Sequence, residues 1–191
     1  MNYCVKQLVQ FSLCISIVVS SIAQAPQNST ATNTSSDILL GINSRAALLK
    51  APFVNWFQPN YDNYIVDSAT CKFVAPLLKG KKIRIFLGTW CGDSKREVPR
   101  ILKMLDCCNF PPEMLELIMV SNQDGMYKQS PGHEEAGYNI VRVPTVIIEE
   151  TGKEKGRIVE YPVVSLEKDL LLILKNEKYI PNYSGAKVSA R

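Results

Sequence analysis

Apolar and polar positions along the chain fall into two periods, and their succession predicts alternating strands and helices. Arg45 to Lys50 reads as a short helix capped by Ser44 and interrupted by Pro52. Phe53, Trp56 and Phe57 then stand at helical spacing until Pro59, where the run is expected to end. Ile65-Val66 is a candidate short strand, followed by a helix from Asp67 or Ser68 to about Lys79, with Gly80 as its stop. The run Ile83-Arg84-Ile85-Phe86-Leu87 predicts a buried strand, and an amphipathic helix follows it to about Cys108. In that helix Val98, Ile101, Leu102 and Leu105 form the apolar stripe, and Pro99 lies inside, where a kink is expected. Met114 to Val120 predicts a second buried strand. Ser121 to Gly137 is a polar loop, with a helical segment expected around His133 to Ala136. Val143 to Ile148 and Gly156 to Tyr161 form a strand pair across the Thr151-Gly152-Lys153 turn, and Ser165 caps a last helix bearing Leu166, Leu170, Ile173 and Leu174. The tail from about Pro181 looks loose.

At the junction of the first buried strand and its helix stands Gly88-Thr89-Trp90-Cys91-Gly92-Asp93-Ser94. A cysteine at a helix start faces unpaired N–H groups and the positive end of the macrodipole, which favours the thiolate. Cys91 is therefore the candidate nucleophile. Ser94, three positions on, cannot form a disulfide, but its hydroxyl could donate to a thiolate. Asp93 opposes thiolate formation, and Lys95 and Arg96 favour it.

Composition adds an ordinary globular profile, 46% hydrophobic and 21% charged, with a net charge of +4 spread over mixed signs. There is no basic block with interleaved aromatics, so nucleic-acid binding has no support. Residues 1–23 read as a signal peptide, with Lys6 as a weak positive region, an apolar run from Leu8 to Ile22, and a cleavage site at Ser21-Ile22-Ala23. Export predicts an extracytoplasmic location, periplasmic if the source is a Gram-negative bacterium. A membrane association enters only if the segment stays uncleaved as an anchor. Residues 24–62 comprise a polar Ser/Thr/Asn-rich linker and a helical extension. The linker holds two N-glycosylation patterns, at Asn28 and Asn33, of the kind a Ser/Thr-rich tract produces by chance.

Of six cysteines, Cys4 and Cys14 lie in the presumed signal and Cys71, Cys91, Cys107 and Cys108 in the mature chain. With one histidine, His133, and no paired CxxC elements, no metal site is expected. Cys107 and Cys108 lie sixteen and seventeen positions after Cys91 (107 − 91 and 108 − 91). Along a continuous helix that is roughly 24 Å, too far for a direct disulfide. They could pair with Cys71, bridge chains, or sit reduced in the core. His133, in a polar loop beside Glu134 and Glu135, reads as a surface histidine. Arg142 is the better candidate for electrostatic help near the thiol.

Taken together, Trp90-Cys91-Gly92-Asp93-Ser94-Lys95, Pro99 inside the helix, and the run Tyr138 to Thr145 ending in Val143-Pro144-Thr145 resemble the thioredoxin superfamily, in the order that family uses. The likeness spans residues 63–178, with 179–191 as a C-terminal tail. It implies an α/β fold with a central mixed sheet of about four to five strands flanked by helices, preceded by the helical N-terminal extension. It further implies a cis Pro144 beside the reactive sulfur, and a Val143 backbone that pairs with an extended substrate. Trp90, Gly92 and Asp93 would line the surface that substrate meets. The family's usual buried aspartate, six residues before the cysteine, is replaced here by Ile85. The expected activity is monothiol exchange: Cys91 attacks a disulfide of a protein or of glutathione, and an outside thiol resolves the adduct. That suits isomerisation or deglutathionylation, with no cofactor. The rival expectation is a redox-inactive binding or chaperone-like module on the same fold. A peroxide-reducing role ranks last, because no threonine-rich pocket accompanies Cys91.

Overall fold

The structure, a computed structural model, describes residues 38–188. The expected signal peptide (1–23) and the polar linker (24–36), with Cys4, Cys14 and both glycosylation patterns, lie outside the described residues. Among the described residues no helix is long and apolar enough to cross a membrane.

The chain runs through β1 (Gly41–Asn43), α1 (Arg45–Leu48), α2 (Val54–Asp62), α3 (Ser68–Leu77), β2 (Lys81–Leu87) and α4 (Gly92–Cys107). A 3-10 turn (Pro112–Met114) leads into β3 (Leu115–Met119), then β4 (Thr145–Glu150), β5 (Lys153–Val159) and α5 (Leu166–Lys175). The strands form one mixed five-stranded sheet in the order β1-β3-β2-β4-β5, flanked by helices. Only β2 and β3 run parallel, which requires the crossover that α4 supplies. In register, Ile85 lies between Leu117 on β3 and Val146 on β4, at the sheet's centre.

The two-residue period of the strands sorts side chains to two faces. Ile83, Ile85, Leu87, Leu117, Met119, Val146 and Ile148 join the main core, to which all five helices contribute. Phe86, Ile118, Val120 and Ile147 face the other way and pack with Ile140 and Val143 beneath Trp90, Cys91 and Tyr138. The loop between β3 and β4 thus covers the second face, directly below the candidate nucleophile.

The structure departs from several sequence expectations. Ile65-Val66 is not a strand, and Ile65 is 91% exposed. The extra strand is β1, which pairs antiparallel with β3 from upstream of residue 63, so the sheet takes in part of the expected extension. At three residues, with its one large apolar side chain, Ile42, 57% exposed, β1 is too short for a periodic pattern to signal it. Pro59 does not end α2, because the Asn63 N–H donates to the Pro59 carbonyl at 3.0 Å and the helix runs on to Asp62. The segment His133 to Ala136 forms turns, with His133 at φ 54°, which a helix does not accommodate. The tail is tied down: Asn182 donates to the Tyr161 carbonyl at 2.9 Å, the Val188 N–H donates to Asn139 at 2.9 Å, and the Tyr183 hydroxyl donates to Glu160.

Candidate functional site

Strand β2 ends at Leu87 in the centre of the sheet, and the chain turns at once into α4. Cys91 is the N-cap of that helix, with extended backbone at φ −84° and ψ 129°, and its carbonyl accepts the first helical bond from the Lys95 N–H at 3.0 Å. Its own N–H donates to the Gly88 carbonyl at 2.9 Å, closing the turn. Cys91 is thereby held half-exposed at the helix start, where unpaired backbone N–H groups favour negative charge.

The loop from residue 138 to 144 reaches the same place from the other side. The Val143–Pro144 peptide is cis, and the Cys91 thiol donates to the Val143 carbonyl at 3.3 Å. The Thr145 hydroxyl donates to the Arg142 carbonyl at 2.7 Å, and the Glu160 N–H donates to the Pro144 carbonyl at 2.7 Å, so the peptide is braced on both sides. Cys91 and Val143-Pro144, fifty-two residues apart, are thus brought into contact.

Trp90 lies beside them. Its indole N–H donates to the Val120 carbonyl at the end of β3 at 2.8 Å, and its ring meets Tyr127 at 5.7 Å between centroids. Gly88 is needed here: a Cβ on it would stand 2.5 Å from the Trp90 ring. Gly92 is exposed, and Asp93 pairs with Arg96 at 2.8 Å.

Two sequence expectations are changed at the site. Ser94 is fully buried, and its hydroxyl accepts the Gly88 N–H at 3.2 Å; among the described residues it makes no hydrogen bond to Cys91. Its observed role is to pin the β2–α4 turn from inside the helix. Arg96 is held by Asp93 and Glu97, so its charge is engaged by two carboxylates and is not free to act on the thiol. Arg142 is exposed, and its guanidinium stacks on the Tyr183 ring of the tail at 5.0 Å. His133 is exposed and faces Glu135, as a surface histidine.

Sequence reasoning missed Glu97. It is 4% exposed, paired with Arg96 at 2.6 Å and with Arg100 at 3.4 Å, and it lines a small crevice with Pro144, Ile101 and Val146. Ile85, where a buried acid was absent from the sequence, is fully buried among apolar neighbours. Glu97 and Glu160 are the two carboxylates that line that crevice with Pro144. Its spacing was the available signal, since 94, 97, 98 and 101 share one helix face.

No family model matches the chain, and no curated protein matches it. Among solved structures, the chain is similar to an HIV epitope-scaffold, with 15% identity, a TM-score of 0.51, and coverage of 72% of this chain and 94% of that one. It is also similar to a protein of unknown function from Pseudomonas aeruginosa, with 15% identity, a TM-score of 0.45, and coverage of 64% and 81%. At such identity the first likeness speaks to the α/β fold alone.

Proposed function

We propose that this chain has a thioredoxin fold and exchanges thiols and disulfides by a monothiol route, with Cys91 as nucleophile. The observation that carries the reading is the contact between the Cys91 thiol and the Val143 carbonyl, at a helix start and beside cis-Pro144. In the thiol form the S–H satisfies that carbonyl. Once the thiol ionises the donor is gone, and the carbonyl is open to an N–H of an incoming extended segment. The Cys91 thiolate attacks one sulfur of a protein or glutathione disulfide. A Cys91–substrate disulfide forms and the other half leaves as a thiolate. A second thiol, from glutathione or from the substrate, then attacks the adduct and returns Cys91 to the thiolate. Ser94 cannot take that second step, so no net reduction occurs without an outside thiol. We place this activity outside the cytoplasm on the strength of the signal-like residues 1–23.

The second reading, a binding module without redox turnover, draws on Ser94 being committed to Gly88 and on the apolar surroundings of Ile85. One experiment separates the two. The full chain is treated with glutathione disulfide at neutral pH, and adduct formation at Cys91 is followed by peptide mass mapping. Exchange chemistry predicts an adduct at Cys91 that forms at least about tenfold faster than at a free cysteine and is released by added glutathione. An unmodified Cys91, or one reacting no faster than a free cysteine, removes the exchange reading and leaves the binding module.

A further inference from the structure

Beside the candidate site, the loop of residues 125–142 and the tail of residues 183–188 border a cleft of about 870 Å³. That is room for a small ligand or a short stretch of peptide. The cleft meets the site at two points. Tyr127 lines it, and the Tyr127 ring lies 5.7 Å from that of Trp90. Val141 and Arg142 line it too, and the chain passes from them directly into Val143 and cis-Pro144. Arg142, Lys128 and Lys187 bring positive charge to the lining. The carboxylate of the lining, Glu135, is engaged by its own loop: it accepts the Ser130 N–H at 3.0 Å and faces the His133 ring at 3.4 Å.

We propose that this cleft receives the carboxylates that flank the cysteine of a disulfide substrate, with Arg142 and Lys187 as their partners, so that Cys91 selects acidic peptide disulfides. The proposal deepens the exchange reading and rests on it for the chemistry. Arg142 carries most of the argument. Arg45, Arg84, Arg96, Arg100 and Arg157 each pair with a carboxylate at 3.4 Å or less. Among the described residues Arg142 is the arginine that makes no ion pair; its guanidinium lies 5.0 Å from the centroid of the Tyr183 ring instead. Stacking covers a face of the guanidinium plane and leaves its N–H edges to meet a carboxylate side by side.

Both cations are positioned before any ligand arrives. The Arg142 carbonyl accepts the Thr145 hydroxyl at 2.7 Å, and the Tyr183 hydroxyl donates to Glu160, which steadies the ring beneath the guanidinium and engages that carboxylate. Asn139 donates to the Ala186 carbonyl at 2.9 Å and accepts the Val188 N–H at 2.9 Å, so one side chain fixes the backbone on both sides of Lys187. Lys128 donates to the Val141 carbonyl at 2.6 Å and ties the loop to itself across the cleft. Ordering of this kind lowers the entropy that a ligand must give up. Reach follows from the site. A segment paired with the Val143 carbonyl runs alongside Arg142 and Val141, and at about 3.3 Å per residue its side chains within about three positions of the cysteine come over the cleft. Glutathione and an acidic stretch of protein both place carboxylates at that distance.

The test begins with the full chain carrying Cys91→Ser, whose binding needs no exchange, so failure of the exchange reading leaves the result intact. Calorimetry compares the peptide Glu-Glu-Cys-Glu-Glu, its cysteine S-methylated, with the same peptide carrying Gln for Glu. The acidic peptide is expected to bind at least about tenfold more tightly. Arg142→Gln and Lys187→Gln should each reduce that preference, while Lys79→Gln, which removes the same charge before the start of β2, should not. The proposal is overturned if the two peptides bind alike, if neither binds, or if the preference survives Arg142→Gln and Lys187→Gln together. A second arm keeps Cys91 and follows its attack on glutathione disulfide, on the disulfide of the acidic peptide, and on cystamine, whose ends are cationic. The double variant should slow one or both of the first two at least about tenfold and not the third. Slowing confined to glutathione disulfide identifies glutathione as the source of the carboxylates, and slowing confined to the peptide identifies a protein segment. Equal slowing on cystamine would overturn the proposal, since the substitutions would then act on the thiol itself.

Discussion

At the scale of single residues, the candidate site depends on how closely the backbone and the Trp90 ring approach. Gly88 leaves room for Trp90 to lie flat and donate to Val120, and its N–H is also the one that Ser94 receives. Gly88→Ala puts a methyl group into the ring, and either Trp90 or the turn must move. Overpacking of this kind costs about 1–3 kcal/mol. We expect that loss in urea unfolding, together with a fall in the rate of Cys91 modification by glutathione disulfide. Unchanged values of both would show that Trp90 does not set the position of the thiol. Cys91 itself was legible from its neighbours in the chain. The partner of Ser94 was not, because a hydroxyl one turn into a helix can face the thiol or the turn behind it, and only the folded packing selects between them.

At the scale of elements, the helices begin where side chains can satisfy the first free N–H groups. Asp67 accepts the Thr70 N–H at 3.0 Å, and Ser165 accepts the Lys168 N–H at 3.2 Å. Both were visible in the sequence as polar residues before an apolar period. Ser165→Ala should lower stability by about 1 kcal/mol, read as a shift in denaturation midpoint, with no change in Cys91 reactivity, since α5 does not touch the thiol. Retained stability would mean that another group caps the helix. Strand β1 was hidden for the opposite reason. Three residues with one half of the sheet edge to pair with have no period of their own, and their strand character comes from the hydrogen bonds that β3 offers.

At the scale of the whole molecule, contacts between distant parts of the chain hold the α2–α3 connection to the helical layer. The Tyr64 hydroxyl, just after α2, donates to Glu167 on α5 at 2.8 Å across 103 residues, and the Asp67 N–H donates to the same oxygen at 3.2 Å. Glu167 is buried, so removing a donor leaves a poorly satisfied carboxylate. Tyr64→Phe should cost about 1–3 kcal/mol at neutral pH. Burial, and then the bond to Glu167, push the ionisation of Tyr64 well above the usual phenol range. The folded state therefore keeps a proton that the unfolded chain releases near about pH 10. Stability contributed by Tyr64 is complete below that point and is lost as pH rises beyond it. Urea midpoints followed into alkali should fall in the wild-type protein and fall less steeply in Tyr64→Phe; parallel slopes would remove Tyr64 as a source of the loss.

By itself the sequence determined the succession of elements around Cys91: a buried strand, a cysteine at a helix start, and a Val-Pro-Thr segment leading into a later strand. Those features rest on local periods of two and 3.6 residues, on caps, and on proline, all of which act within a few positions. Tertiary structure alone decided which groups meet. It set the Cys91 thiol on the Val143 carbonyl, turned Ser94 toward Gly88, buried Glu97 beside Pro144, and brought the Cys108 thiol to the Cys71 carbonyl. Each of these outcomes depends on side-chain packing that local periodicity leaves open: helix faces meeting, loops laid across a sheet, and buried groups finding partners.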